Sequence, residues 1–151
     1  MTLGTGDPAP RVIATNQGGE RITVDFAAPT VLYFYPRDGT PGCTTEAEQF
    51  DAELESYREA GVRVYGVSTD DADSHREFAA DRGLGFDLLA DPDGKVADAF
   101  GVDTSGGAAD RTTFVCARGQ VCGVYEGVRP DGHARQVLRD MLEMGLVSLE
   151  G

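Results

Sequence analysis

Tyr35-Pro36-Arg37-Asp38-Gly39-Thr40-Pro41-Gly42-Cys43-Thr44-Thr45-Glu46 is the stretch on which the fold turns. Just upstream, Val31-Leu32-Tyr33-Phe34-Tyr35 is a short apolar run with the length and side-chain types of a buried strand. Downstream, Ala47, Phe50, Leu54 and Tyr57 recur at spacings of three and four, which predicts a helix with one apolar face, and Gly61 supplies its C-cap. Cys43 therefore stands where a strand hands over to a helix N-terminus. There the oriented N–H groups and the helix dipole favour a thiolate over a thiol. A plainer reading stands beside it: Cys43 lies four residues before Ala47 and extends the apolar stripe, and unpaired cysteines are among the most buried residues.

Working outward, Arg11–Ala14, a turn at Asn16–Gly19 and Arg21–Val24 read as a hairpin. Val62–Val67 reads as a second core strand. Ser68-Thr69-Asp70-Asp71 offers N-cap side chains for a helix through Phe78 and Ala79 that closes at Gly83. Phe86–Leu89 is a short strand, and Asp91-Pro92-Asp93-Gly94 is turn chemistry before a short helix ending near Phe100. Arg111–Cys116, a turn at Arg118-Gly119 and Val121–Tyr125 form an antiparallel hairpin. Ala134, Val137, Leu138, Met141 and Leu142 mark a last amphipathic helix. Alternating strands and helices predict an α/β architecture with right-handed crossovers and a central sheet covered on both faces. With no repeat and no linker, residues 1–151 are expected to form a single domain.

Composition narrows the function. A chain of 151 residues that is 40% hydrophobic can build one core, and no run approaches the ~18 apolar residues of a membrane span. The start, Met1 to Asp7, has neither a basic opening nor an apolar signal core, so a soluble cytoplasmic protein is expected. Three cysteines argue against a structural disulfide framework. The net charge is −13, and Lys95 is the only lysine beside twelve arginines. Such a surface repels nucleic-acid phosphates and anionic lipid, so neither partner is expected. The acidic residues are spread along the chain, as on a solvated surface. They also fit adaptation to high salt, where screening removes self-repulsion.

The pattern Pro36-x-x-x-Thr40-x-x-Cys43 between a strand and a helix resembles the peroxiredoxins. The longer run from Phe34-Tyr35-Pro36 to Thr40-Pro41-Gly42-Cys43-Thr44, with Glu46-Ala47, resembles their bacterioferritin comigratory protein (peroxiredoxin Q) branch. Gly6-Asp7-x-Ala9-Pro10, Gly66-Val67-Ser68, Leu88-Leu89-Ala90-Asp91 and Arg111-Thr112-Thr113-Phe114-Val115 continue the likeness in family order. The resemblance implies a thioredoxin-like fold: a central mixed sheet, helices on both faces and an N-terminal hairpin extension. It implies an antioxidant, thiol-dependent peroxidase that reduces hydrogen peroxide and organic hydroperoxides through a peroxidatic cysteine, Cys43, cycling via sulfenic acid.

Chemistry gives the other residues roles under that resemblance. The neutral thiol is a poor nucleophile, so the site has to favour the thiolate. Arg111 is the cation that would hold both thiolate and peroxide oxygen, with five fixed donors; alone, it reads as a surface salt-bridge arginine. Thr40 would hydrogen-bond and orient the peroxide; alone, it is a turn threonine. Pro36, lacking an N–H, would wall the pocket from water; alone, it ends a strand. No metal or organic cofactor is required. The expected partners are the peroxide and an external thiol or thioredoxin-like reductant, with a monomeric enzyme. A reading from another class is a non-catalytic redox sensor or holdase using the same thiol.

His75 and His133 have no cysteine or histidine at ligand spacing and read as solvated surface histidines. Glu46 is similar to the family's acid near the nucleophile and equally fits a first-turn glutamate on the helix dipole. Gly94, Gly106 and Gly107 are turn formers. One departure from the family stands out: where many peroxiredoxin Q proteins carry a second, resolving cysteine, this chain has Glu48. Thr45-x-x-Glu48 also has capping-box spacing. The segment from Asp103 to Asp110 is shorter than the corresponding family loop. Cys116 and Cys122 are the other thiols. Alternation points Cys116 away from Arg111's face, while the place of Cys122 depends on the hairpin register. No resolving partner within the chain is expected.

Overall fold

The computed structural model describes residues 2–147. Met1 and residues 148–151, the two ends of the expected 1–151 unit, lie outside the described residues. In chain order the elements are β1 (Val12–Asn16), β2 (Arg21–Val24), β3 (Thr30–Phe34), α1 (Pro41–Ala52), α2 (Leu54–Glu59), β4 (Arg63–Ser68), α3 (Ala72–Arg82), β5 (Asp87–Ala90), α4 (Lys95–Phe100), β6 (Thr112–Ala117), β7 (Gln120–Glu126) and α5 (His133–Glu143). The strands make one seven-stranded mixed sheet in the order β2-β1-β5-β4-β3-β6-β7. β3, β4 and β5 are parallel, and the remaining neighbours pair antiparallel.

Topology decides which face each helix covers. The chain steps from β3 to β4 to β5 in one direction, so two right-handed crossovers place α1, α2 and α3 on the same face. α5 joins them, packing Ala134, Val137, Leu138 and Met141 against the side of the sheet that carries Tyr33 and Val115. α4 covers the opposite face with Val96, Ala97 and Phe100, helped by Phe26, Val102 and Ala109. β3 is buried at all five positions, as expected for a central strand sandwiched between helices. Tyr33 stacks on Phe50 of α1 with ring centroids 4.6 Å apart. Its phenol lies across Gly66, where a Cβ would meet Tyr33 Cζ at 2.8 Å, so β4 admits this ring only because residue 66 has no side chain.

Several local expectations are corrected. The helix after Cys43 is not continuous: Glu53 leaves helical geometry (φ −95°, ψ 2°) and divides it into α1 and α2, although Phe50, Leu54 and Tyr57 still share the core face. Gly61 falls one residue beyond the C-cap Ala60, where its N–H and that of Val62 close on the carbonyls of Arg58 and Tyr57. Helix α1 starts at Pro41, so Thr45 lies inside it and the Thr45–Glu48 capping box does not form. Asp71 does cap α3, accepting from the Ser74 N–H, and Gly83 ends that helix.

The β6–β7 hairpin takes a register that neither simple loop foresees. Arg118-Gly119 is a two-residue turn, with Ala117 opposite Gln120 and Cys116 opposite Val121. Then Val115 pairs with Gly123, which leaves Cys122 as the extra residue of a bulge. Cys116 belongs to the core on the α4 side, away from Arg111's face, as alternation predicts.

Candidate active site

The site is built where β3 ends. Tyr35 continues its pairing by donating its N–H to Val67 O, and Pro36, which has no N–H to give, ends it. Gly39 turns the chain with φ +78°. Thr40 is the N-cap of α1, Pro41 occupies its first position, and Cys43 therefore sits in the first turn. There the orphan N–H groups present partial positive charge. The Cys43 side chain is buried, 1% exposed.

Arg111, the residue before β6, reaches across to this turn. Its Nη2 donates to Cys43 Sγ at 3.4 Å, and its Nη1 donates to Glu46 Oε1 at 2.7 Å. One guanidinium thus bridges sulfur and carboxylate, which are three residues apart on one face of α1. Gly42 makes the approach possible: a Cβ there would lie 3.1 Å from Arg111 Nη2. Burial works against Arg111's charge, but Glu46 and Cys43 more than hold it protonated. Glu46 is not a first-turn dipole residue. Its carboxylate is fully buried, and its second oxygen has no partner among the described residues. Burial pushes the Glu46 carboxyl up to about 7 against the lowering influence of Arg111.

Cys43 and Arg111 are in contact, and Thr40 stands three residues before Cys43 in the same turn. The Thr40 hydroxyl donates to Arg37 O at 3.1 Å, which leaves its lone pairs free to accept. Pro36 is half-buried at the start of the loop. Glu48 is exposed, on the side of α1 away from the core.

Both histidines are corrected. His75 is completely buried, with Nδ1 2.7 Å from Asp38 Oδ2 and Nε2 3.0 Å from Leu89 O. His133 is 4% exposed, and its Nε2 lies 2.8 Å from Thr113 Oγ1. Burial pushes the His133 imidazole down to about 4, so it is neutral at physiological pH. Helical spacing held the missed signal: His75 shares a stripe with Phe78 and Ala79, and His133 with Val137. Asp38 was missed as well, because apart from Tyr35 its partners lie on α3 and in the loop between β4 and α3, far away in sequence. Asp38, Asp70 and His75 bring one ligand-type atom each within 4.8 Å of one another. Asp38 Oδ2 already meets His75 Nδ1 and Ser74 Oγ, and Asp70 Oδ2 already accepts from Ser68 Oγ and the Asp38 N–H, which is how a hydrogen-bonded strut behaves.

The model of the AhpC/TSA family matches residues 5–122. "Peroxiredoxin Bcp" of Xanthomonas campestris is 40% identical over 131 residues, covering 80% of this chain and 82% of that protein. "Peroxiredoxin Q, chloroplastic" of Triticum aestivum is 38% identical over 143 residues, covering 91% of this chain; the chain spans 66% of that relative's length. Among solved structures, the Xanthomonas campestris bacterioferritin comigratory protein, described for its alkyl peroxide reduction activity in trapped intermediate/ligand complexes, superimposes with a TM-score of 0.82. It is 34% identical and covers 88% of this chain and 91% of its own. The mixed sheet with helices is thus the thioredoxin-like fold of those proteins.

Proposed function

The chain belongs to the AhpC/TSA family, and from that membership we propose that it is a thiol-dependent peroxidase acting on hydrogen peroxide and organic hydroperoxides through Cys43. One observation carries the reading: a buried sulfur in the first turn of α1, with a guanidinium nitrogen at 3.4 Å. Both the helix end and Arg111 stabilise negative charge there, first on the thiolate and then on the oxygen that departs.

In the proposed reaction the Cys43 thiolate attacks the nearer peroxide oxygen along the O–O axis. An S–O bond forms as the O–O bond breaks. Sulfur loses two electrons and becomes sulfenic acid, and the departing oxygen takes a solvent proton to leave as water or an alcohol. Thr40 Oγ1 accepts from the peroxide O–H and orients it, Arg111 holds the reacting oxygens, and Pro36 keeps water from the loop side. Two equivalents of an external thiol, or one dithiol of a thioredoxin-like reductant, then return Cys43 to the thiol, yielding a disulfide and water.

The same reading takes residues 1–151 as one functional unit and a monomer. It places the protein in the cytoplasm, where reducing thiols would keep Cys43, Cys116 and Cys122 free, as they are in the structure. Purified protein with a dithiol reductant should consume many equivalents of hydrogen peroxide, and Cys43→Ser should abolish this with the circular dichroism unchanged. Turnover that survives the substitution refutes the assignment, and consumption that stops at one equivalent indicates a sensor instead.

A further inference from the structure

The segment that carries Pro36 and Thr40 is held from the side opposite Arg111 by a buried ionic cluster. Asp38, midway between them, accepts from Tyr35 Oη at 2.6 Å through Oδ1, and from Ser74 Oγ at 2.8 Å and His75 Nδ1 at 2.7 Å through Oδ2. Its own N–H donates to Asp70 Oδ2 at 2.8 Å, an oxygen that also accepts from Ser68 Oγ at 2.7 Å. Burial pushes the Asp38 carboxyl up, but the donors from His75, Tyr35 and Ser74 outweigh it and hold the group below its ordinary value. Asp38 is therefore ionised and only accepts. The Leu89 carbonyl that meets His75 Nε2 at 3.0 Å also only accepts. Both ring nitrogens of His75 must then donate, which makes it an imidazolium sealed in the core and paired with Asp38. Removing one partner of such a pair leaves the other charge buried and uncompensated, so the pair specifies a single loop position.

We propose that Asp38 and His75 are positioning residues for peroxide reduction: their buried ion pair, with Ser74, fixes the 36–40 loop against α3 and β5 so that the Thr40 hydroxyl meets the peroxide. The inference rests on the peroxidase reading above. Cys43 and Arg111 are held separately, by α1, Glu46 and β6, so the clamp acts on peroxide orientation and leaves the sulfur's own reactivity alone.

That separation defines the test. The second-order rate of Cys43 oxidation by hydrogen peroxide is measured in a single turnover, and iodoacetamide alkylation of the Cys43 peptide is followed by mass spectrometry in the same proteins. Asp38→Asn and His75→Gln are each expected to slow oxidation about tenfold, the scale of a misplaced reacting group, with alkylation unchanged. Ser74→Ala, which removes one neutral donor and leaves the ion pair intact, should slow it less and keeps the test available if the charge variants do not fold. In a Thr40→Ala background, His75→Gln and Ser74→Ala should cause no further loss. Equal slowing of alkylation, or losses that multiply with Thr40→Ala, overturns the inference, as does wild-type oxidation in all three variants. Wild-type protein that alkylates but does not reduce peroxide refutes the peroxidase reading itself.

Discussion

Gly42 and Glu46 flank the sulfur, and each has a measurable consequence. A methyl group at position 42 would press on Arg111 Nη2 from 3.1 Å, and the end of that long side chain is the part able to give way. Gly42→Ala should therefore cost little stability and shift the guanidinium from the sulfur. Peroxide reduction is expected to fall by about tenfold, a loss readable as reduced kcat/KM with unchanged thermal unfolding. Glu46 carries a pH signature. Its carboxyl is raised from 4.5 to about 7, so the folded chain binds that proton more tightly than the unfolded one. The resulting stability is fully present below about pH 4.5 and is lost as pH rises toward 7. Glu46→Gln keeps an acceptor for Arg111 and removes the titration. Between those pH values the wild-type melting temperature should fall relative to the variant, and parallel curves would count against it.

At the scale of elements, the hairpin decides whether the chain can resolve its own sulfenic acid. Cys43 lies beyond the C-terminal end of β3, whereas Cys122 bulges out near the Val115–Gly123 pair of β6 and β7. β6 runs antiparallel to β3, with Phe34 beside Thr112 and Thr30 beside Cys116, so the two thiols stand at opposite ends of the strands. At ~3.3 Å per residue that separation is on the order of 13 Å. A disulfide requires Cα atoms within about 7 Å. Cys116 faces the other core, and burial pushes its thiol up to about 12, which makes it a poor attacker. Mass spectrometry after one equivalent of peroxide should find a dimedone-trapped Cys43 sulfenic acid. A Cys43–Cys122 or Cys43–Cys116 disulfide formed within one chain on the turnover timescale would contradict this.

For the whole molecule the dominant quantity is the charge of −13. Ion pairs absorb little of it: Arg76–Asp73 and Arg135–Glu53 involve exposed arginines, and such pairs contribute at most about 1 kcal/mol. Repulsion among the remaining carboxylates is a long-range cost that salt screens within about 10 Å at 0.1 M. The urea midpoint should therefore rise between dilute buffer and molar sodium chloride. Equal midpoints would show that the acidic surface serves solubility alone.

The alternation of strands and helices, the strand-to-helix junction that presents Cys43 and the chemical type of each site residue are all legible in the amino-acid order. These depend on local periodicity, turn chemistry and motif spacing, which act within a few residues. The bulge at Cys122 emerges only on packing, because register is set jointly by both strands and the cores they face. Packing also sets the surroundings of His75, Asp38 and Glu46. Locally His75 reads as a solvated histidine, Glu46 as an acid on the helix dipole or beside the nucleophile, and Asp38 as an unremarked loop residue; each is buried because its partner arrives from far along the chain: Leu89 and Asp38 for His75, Arg111 for Glu46. A buried charge is tolerated only where an opposite charge and hydrogen bonds meet it, and that meeting is a property of packing rather than of any local stretch.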